Sequence, residues 1–134
     1  MTKQEKTAIK RIRKTFKLPE AKNLLTKGWK IANQSSGIDS MGFCYIATEA
    51  LFHMLGGKDN GYKPVCGKLL GGTHWWLINK SGIILDPTQD QLWCIPEQMY
   101  DTGCGCGFQN GYEKPSKRAT KLIELTLTNS KHCV

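Results

Sequence analysis

The fold of this chain is decided by residues 42–51, GFCYIATEAL, and by the two segments that follow, THWWL at 73–77 and ILDPT at 84–88. The first segment predicts a loop that leads into a helix, with Cys44 near the helix start. The other two predict adjacent strands that carry His74 and Asp86. A thiol at a helix N-terminus facing a histidine and an aspartate is the arrangement of a nucleophile, its base and the group that orients the base.

Cys44 is the strongest candidate for the nucleophile among the six cysteines, because it alone begins a predicted helix. A thiolate is the reactive form of cysteine, and both the positive end of a helix dipole and a nearby imidazolium stabilise it. The small residues Ser40 and Gly42 leave room before Cys44, whose backbone N–H is placed to donate to an oxyanion. The apolar stripe that continues at Ala47 and Leu51 directs Cys44 toward the predicted sheet. The alternative is a small buried core residue, a common role of free cysteine.

His74 is the histidine expected to act as the base. His53 follows Cys44 on the same predicted helix, where a rotation of about 900° places it on the opposite side. His132 lies in the C-terminal tail. On the strand of His74, alternation places Trp76 on the same face, where its indole would exclude water and limit rotation of the imidazole. The alternative is a hydrogen-bonded core histidine.

Asp86 is the one acidic residue of the predicted return strand. With a turn apex near Lys80, His74 and Asp86 lie opposite each other, whereas a one-residue shift of register would move Asp86 to the other face. In that register the carboxylate bonds Nδ1 of His74, sets its tautomer and stabilises the imidazolium. The Asp-Pro-Thr segment also predicts a strand-ending turn in which Asp86 bonds its own backbone. The two interpretations are compatible.

A second oxyanion donor is expected from an amide upstream of the nucleophile helix. Gln34 is the first choice and Asn33 the second, because both lie in the predicted loop into that helix. The competing donors are Ser35, Ser36 and Asn79. Trp76 and Gln89 are expected to line the substrate cleft beside Asp86.

The composition excludes several classes of protein. The chain has 134 residues, of which 40% are apolar and 22% charged, which is typical of one compact globular domain. No apolar run approaches the roughly 20 residues of a membrane span. The charged N-terminus has no apolar segment after it, so no secretory signal is expected. We therefore interpret the six cysteines as thiols and expect a cytoplasmic protein.

The net charge of +8 comes from the N-terminal residues. Residues 1–30 hold ten basic and two acidic side chains, whereas residues 31–134 hold nine of each. The charge predicts a basic helical arm at 1–30 ahead of a Cys-His-Asp domain at 31–134. A solvated helix face is the favoured interpretation, and contact with nucleic acid is the alternative. The Cys-Gly-Cys segment at 104–106 is a weak zinc pattern, so no metal or cofactor is predicted.

Local signals predict the order of the elements. The predicted helices are 3–16, capped by Thr2, then 20–27 ended by Gly28, then the nucleophile helix to residue 55, and a last helix over 115–127. The predicted strands are 63–70, 73–79 and 83–86. Residues 33–40 are predicted as a loop, and residues 87–114 as mostly irregular.

The order of Cys44, His74 and Asp86 resembles that of the papain-like cysteine peptidase superfamily, including its transglutaminase-like and arylamine acetyltransferase branches. HWWL at 74–77 with GIILDPT at 82–88 is most similar to the transglutaminase-type strand pair. The resemblance implies a nucleophile, a base and an orienting group in that order. It also implies an α+β fold of papain-like type, with the nucleophile helix packed on a small antiparallel sheet and helices at both termini.

The expected activity is that of a thiol-dependent acyl hydrolase. Attack of Cys44 on an amide or thioester carbonyl would form an acyl-enzyme, as in a cysteine peptidase, amidase or deamidase. The expected substrates are peptides, proteins or small amides and thioesters. Transfer of the acyl group to an amine is one alternative, and a non-catalytic module with a tryptophan-lined pocket is another. The pattern is also similar to small bacteriophage proteins, which would imply the host cytoplasm.

Overall fold

The computed structural model describes residues 1–69, 72–91 and 96–132. The helices are α1 (Lys3–Thr15), α2 (Pro19–Lys22), α3 (Lys27–Ser36), α4 (Cys44–Met54), α5 (Pro96–Tyr100) and α6 (Lys117–His132). The strands are β1 (Lys63–Leu69), β2 (Gly72–Ile78), β3 (Ile84–Leu85) and β4 (Cys104–Gly105). They form an antiparallel sheet in the order β3-β2-β1-β4. The expected α+β class and small antiparallel sheet are confirmed.

Helix α1 starts at the predicted cap and joins the main core. The Thr2 hydroxyl accepts from the backbone N–H of Glu5, and the Glu5 carboxylate accepts from the N–H of Thr2. Ile12 and Phe16 are buried, and the Phe16 ring stacks on Phe43 at a centroid distance of 4.6 Å. Residues 1–30 are therefore not an arm ahead of the domain, because their apolar side chains belong to the same core as α4 and α6.

The structure corrects the predicted boundaries between α1 and α4. Helix α2 ends at Lys22, and α3 runs through Gly28 and covers much of the predicted 33–40 loop. Gly28 has open space around its Cα and makes no turn there. The glycine that ends α3 is Gly37, whose φ of 69° is left-handed. The capping signal was therefore assigned to the wrong glycine.

Helix α6 begins at a carboxylate supplied by α4. Glu49 is fully buried and accepts from the backbone N–H of Ser116 (2.7 Å) and from its hydroxyl (2.8 Å). The same hydroxyl accepts from the N–H of Ala119 at 3.2 Å, one turn into the helix. The predicted last helix is confirmed, and its start is tied to the nucleophile helix across the core.

The sheet carries a different layer on each face. One face belongs to the core of α1, α4 and α6 and contributes Trp75, Leu77 and Leu85. The other face belongs to a smaller cluster that includes Val65, Trp76 and Met99. Met99 lies in α5, so a helix from the segment predicted as mostly irregular covers this second face.

One pair of cysteines contradicts the interpretation of all six as thiols. Cys66 of β1 and Cys106 form a disulfide, with their Cα atoms 5.9 Å apart. The backbone brings them together because β4 pairs with β1 and Cys106 directly follows β4. Cys44 and Cys104 are free, and Cys94 and Cys133 lie outside the described residues. Since Cys106 is oxidised, the 104–106 segment does not offer the thiolate pair of a zinc site.

The described helices also bear on membrane contact. None of them, over residues 1–69, 72–91 and 96–132, is both long and apolar enough to cross a membrane.

Candidate active site

Cys44 is the first residue of α4 and is partly exposed. The chain enters this helix through Gly42, whose φ of 89° is left-handed. A Cβ at Gly42 would lie 3.0 Å from Cβ of Trp29, so the glycine permits both the turn and the close approach of α3. In its thiol form Cys44 donates a weak hydrogen bond to the carbonyl of Thr73 (Sγ···O 3.8 Å). The nucleophile candidate therefore lies at a helix N-terminus beside β2, as predicted.

His74 and Asp86 form a buried pair. Their side chains are 0% and 2% exposed, and Nε2 of His74 lies 2.7 Å from Oδ2 of Asp86. The prediction named Nδ1 as the nitrogen that meets the carboxylate, and this is wrong. The ring has the opposite orientation, with Nε2 toward Asp86, and the Cys44 side chain is a further hydrogen-bond partner of His74. The imidazole thus links the thiol to the carboxylate.

The register of the strand pair explains why Asp86 meets His74. Leu77 pairs with Leu85 and Ile78 with Ile84, so the turn is centred one residue later than the predicted apex at Lys80. When the centre of the turn moves by one residue, the cross-strand partner of each residue moves by two positions. Because side chains alternate with a period of two, every side chain stays on its original face. Asp86 therefore approaches His74 diagonally and still shares its face.

His74 and Asp86 lie on the face of the sheet opposite to the expected one. His74 alternates with Trp75 and shares the face of Trp76, which belongs to the α5 side of the sheet. The prediction placed His74 and Asp86 on the face that packs against the nucleophile helix. Cys44 still reaches His74 because it is the terminal residue of α4 and lies beside Thr73, close to the start of β2.

Every oxygen of the buried Asp86 carboxylate has a donor. Oδ1 accepts from the backbone N–H and the hydroxyl of Thr88 at 3.1 and 3.2 Å, which is the predicted strand-ending turn. Oδ2 accepts from His74 and from the Tyr100 hydroxyl at 2.9 Å. Four bonds hold the carboxylate in one orientation, as an orienting group requires. Both interpretations of Asp86 therefore hold.

Tyr100 is the residue of this site that sequence reasoning missed. It ends α5, a short helix in a segment rich in glycine and glutamine, where no apolar period marks a helix. Its ring packs edge-on against Trp76 at 5.0 Å, and its hydroxyl bonds Asp86. No local signal assigns this role, because both contacts join residues distant in sequence.

The electrostatics favour a charged imidazole. Burial alone lowers the pKa of His74, because it disfavours the cation. Hydrogen bonds to Asp86 and Cys44, together with electrostatic attraction by both groups, outweigh burial and raise the pKa of His74 from 6.5 to about 9. The imidazole is therefore protonated at neutral pH. A protonated imidazole beside a thiol can stabilise a thiolate and later donate a proton.

The two predicted oxyanion donors differ in their surroundings. Asn33 is buried, and its Nδ2 donates to the carbonyls of Ile38, Asp39 and Met41 at 3.3, 2.9 and 2.9 Å. Its Oδ1 accepts from Lys22, so the amide is fully used in holding the loop before α4. Gln34 is exposed on α3. The backbone N–H of Cys44 remains the predicted first donor, the Asn33 amide is already bonded elsewhere, and the role of Gln34 stays a prediction.

The two residues predicted to line the cleft have different positions. Trp76 is only 1% exposed, and its ring lies 5.9 Å from that of His74. It therefore covers the imidazole, as predicted, but offers no surface to a substrate. Gln89 is exposed, and its Nε2 donates to the Tyr100 hydroxyl at 2.9 Å. It extends the network of Asp86 outward to the surface.

In comparisons with protein-family models, curated proteins and solved structures, no match to this chain was found. The chemistry of the site is therefore interpreted from its own residues. They provide a partly exposed thiol, a buried cationic imidazole and a fully bonded carboxylate in one hydrogen-bonded series. Such a series can support covalent chemistry at an acyl carbon.

Proposed function

We propose that this chain is a thiol-dependent acyl hydrolase of papain-like type, with Cys44 as nucleophile, His74 as acid and base, and Asp86 as the orienting group. The observation that carries the proposal is His74 itself, which is buried with its Nε2 2.7 Å from Asp86 and has Cys44 among the hydrogen-bond partners that raise its pKa. A histidine with only a structural role would need no thiol partner. The substrates are amides or thioesters of peptides, proteins or small molecules.

In the first step the Cys44 thiolate attacks the carbonyl carbon, and the carbonyl electron pair moves to oxygen. The backbone N–H of Cys44 donates to this oxyanion. The oxyanion then re-forms the carbonyl while the bond to the leaving amine or thiol breaks, and Nδ1 of His74 gives that group a proton. The products of this step are a Cys44 thioester and a neutral imidazole.

In the second step His74 takes a proton from water, and the resulting hydroxide attacks the thioester. The carbon–sulfur bond breaks, a carboxylic acid leaves, and the thiolate–imidazolium pair returns. Asp86 keeps the imidazole in one orientation through both steps and stabilises its cation. An amine in place of water would make the same site a transferase. The binding-module alternative gains no support, because Trp76 is buried.

Cys104 gives the experiment a matched control, because it is a free and exposed thiol with no histidine partner in the described part of the chain. With limiting iodoacetamide near pH 6, Cys44 should be alkylated at least about tenfold faster than Cys104, since it is the thiol beside an imidazolium. Peptide mass spectrometry measures the ratio. His74→Ala should remove the preference. Equal labelling of both thiols in the wild-type protein would refute the proposal.

A second measurement addresses turnover. With p-nitrophenyl acetate, the wild-type protein should release a burst of about one equivalent of nitrophenol as the acyl-enzyme forms. Cys44→Ser should keep the fold and lose the burst, whereas Cys104→Ser should keep both. Adding methylamine then distinguishes the acceptors, because a transferase forms N-methylacetamide and a hydrolase forms acetate. A burst that survives in Cys44→Ser would assign the chemistry to another residue.

A further inference from the structure

A groove with a volume of about 1070 Å³ runs between α1 and residues 37–40. Asp86, Gln89 and Tyr100 contribute to its base, so it meets the buried triad from the Asp86 side. Among the described residues, Cys44 is not part of its wall. The groove is therefore a separate surface from the one on which the thiol opens, and its role does not depend on acyl chemistry.

One side of the groove is strongly basic. Helix α1 contributes three exposed lysines, Lys6, Lys10 and Lys14, and the exposed Lys17 lies just beyond its C-terminal end. None of them forms an ion pair with a residue in the described part of the chain. The spacing of four residues between Lys6, Lys10 and Lys14 places these three along one side of the helix. This is a row of uncompensated positive charge.

The acidic residues of the groove do not neutralise that row. Asp90 accepts from both terminal nitrogens of Arg13 at 3.0 and 3.1 Å, and Arg13 also donates to the Pro87 carbonyl at 2.9 Å. Asp39 is paired with Lys22 at 2.9 Å. The third acid, the triad aspartate, is already fully bonded. Within the described residues, the groove therefore presents lysines without ion-pair partners beside aspartates that are already paired or hydrogen-bonded, which favours an anionic ligand.

The length of the row indicates an extended ligand. Within α1, Lys6 and Lys14 are separated by about 12 Å along the helix axis, at 1.5 Å per residue, and Lys17 extends the row past the helix end. Lysines four residues apart rise by about 6 Å. In an extended peptide, side chains on one face repeat every 6.6–6.8 Å, roughly the same interval. Alternate acidic residues of a peptide lying along α1 would therefore each meet a lysine, whereas a single small anion would meet one or two.

The apolar side chains of the groove favour a peptide over nucleic acid. Ile9 and Ile84 line it and are partly exposed, so they can contact aliphatic side chains. Binding of a single nucleic-acid strand relies on exposed aromatic faces on which bases stack. The two aromatic residues of the lining do not provide them, because Phe16 is 1% exposed and Tyr100 packs against Trp76.

We propose that the groove along α1 binds an extended acidic polypeptide segment of a partner protein. The probe is a fluorescein-labelled decapeptide of glutamate, followed by fluorescence anisotropy at low ionic strength. The groove variant combines Lys10→Gln, Lys14→Gln and Lys17→Gln. The matched control combines Lys68→Gln, Lys114→Gln and Lys121→Gln, which remove the same charge from exposed positions outside the groove.

The wild-type protein and the matched control should bind the peptide with the same affinity, and the groove variant should bind at least about tenfold more weakly, as expected for loss of three ion pairs. A decamer of thymidine with the same label should bind more weakly than the peptide. Equal weakening in both variants, no peptide binding by the wild type, or tighter binding of the DNA would overturn the proposal. The burst with p-nitrophenyl acetate should be unchanged in the groove variant, so the two proposals fail separately.

Discussion

At the scale of single residues, the proposed chemistry depends on how one buried histidine is kept charged. His74 has its pKa raised from 6.5 to about 9, with Asp86 and Cys44 as the causes that oppose burial. A group whose pKa is raised on folding stabilises the folded state below its unfolded pKa and loses that contribution as the pH rises through its folded pKa. The pair should therefore stabilise the protein fully below about pH 6.5 and lose this contribution by about pH 9.

Asp86→Asn tests this dependence. The variant keeps the shape of the side chain but removes the charge that stabilises the imidazolium, so the free energy of unfolding should fall by about 3 kcal/mol near pH 6. The difference from the wild type should narrow above pH 9, where His74 is neutral in both proteins. Urea unfolding at several pH values measures it.

The control is Asp39→Asn, which breaks the partly exposed pair with Lys22 and should cost less than about 1 kcal/mol. If the penalty of Asp86→Asn stays constant across the whole pH range, His74 is not the charged partner.

At the scale of elements, the approach to α4 is held by one amide. Asn33 of α3 bonds three successive parts of the loop, at Ile38, Asp39 and Met41. Buried carbonyls that lose their donor are costly, because water does not replace it. The loop leads directly into Cys44, so Asn33 of α3 helps to fix the position of the proposed nucleophile.

Asn33→Ala should therefore lower the free energy of unfolding by about 2 kcal/mol and slow the alkylation of Cys44. Gln34→Ala, on the exposed side of the same helix, should change stability by less than about 0.5 kcal/mol and leave alkylation unchanged. Thermal unfolding and the iodoacetamide assay measure both. A drop of about 100-fold in nitrophenol release for Gln34→Ala would instead restore its predicted role as an oxyanion donor.

Elements with a local signal were the ones that the sequence predicted well. Helix α1 has its Thr2 cap, and β2 and β3 meet around a glycine turn. Helix α5 was missed because Met99 and Tyr100 are fixed by contacts with the distant Trp76 and Asp86. The triad residues could be chosen from their types and order. The orientation of the His74 ring and the face of the sheet on which His74 lies could not be predicted from the sequence, because both depend on packing between elements.

At the scale of the whole molecule, the disulfide bears on the conditions under which the fold is stable. Cys66 and Cys106 are 40 residues apart, and cross-linking a loop of that length restricts the unfolded chain. Structural disulfides are typical of oxidising compartments, whereas the expectation of a cytoplasmic protein rested on thiols. The response to reduction is therefore informative about both stability and compartment.

Reduction with dithiothreitol should lower the free energy of unfolding by about 4 kcal/mol, the loop-entropy value for this separation. Cys66→Ala with Cys106→Ala should reproduce the loss, and Cys104→Ser should not, because that thiol is free. Urea unfolding with and without the reductant gives the comparison. A fold equally stable after reduction would mean that the cross-link contributes little, and the cytoplasmic expectation would then gain support.

The cap that Glu49 supplies to α6 has a consequence for the order of folding. It joins residues 67 positions apart, and closing so long a loop costs entropy before the two hydrogen bonds can form. We therefore expect the start of α6 to dock late, after α4 has packed. Glu49→Gln should then speed unfolding and leave the folding rate nearly unchanged, measured by stopped-flow in urea, with the exposed Glu113→Gln as control. If the folding rate instead fell in proportion to the lost stability, this contact would already be formed in the transition state. The start of α6 and α4 would then dock together.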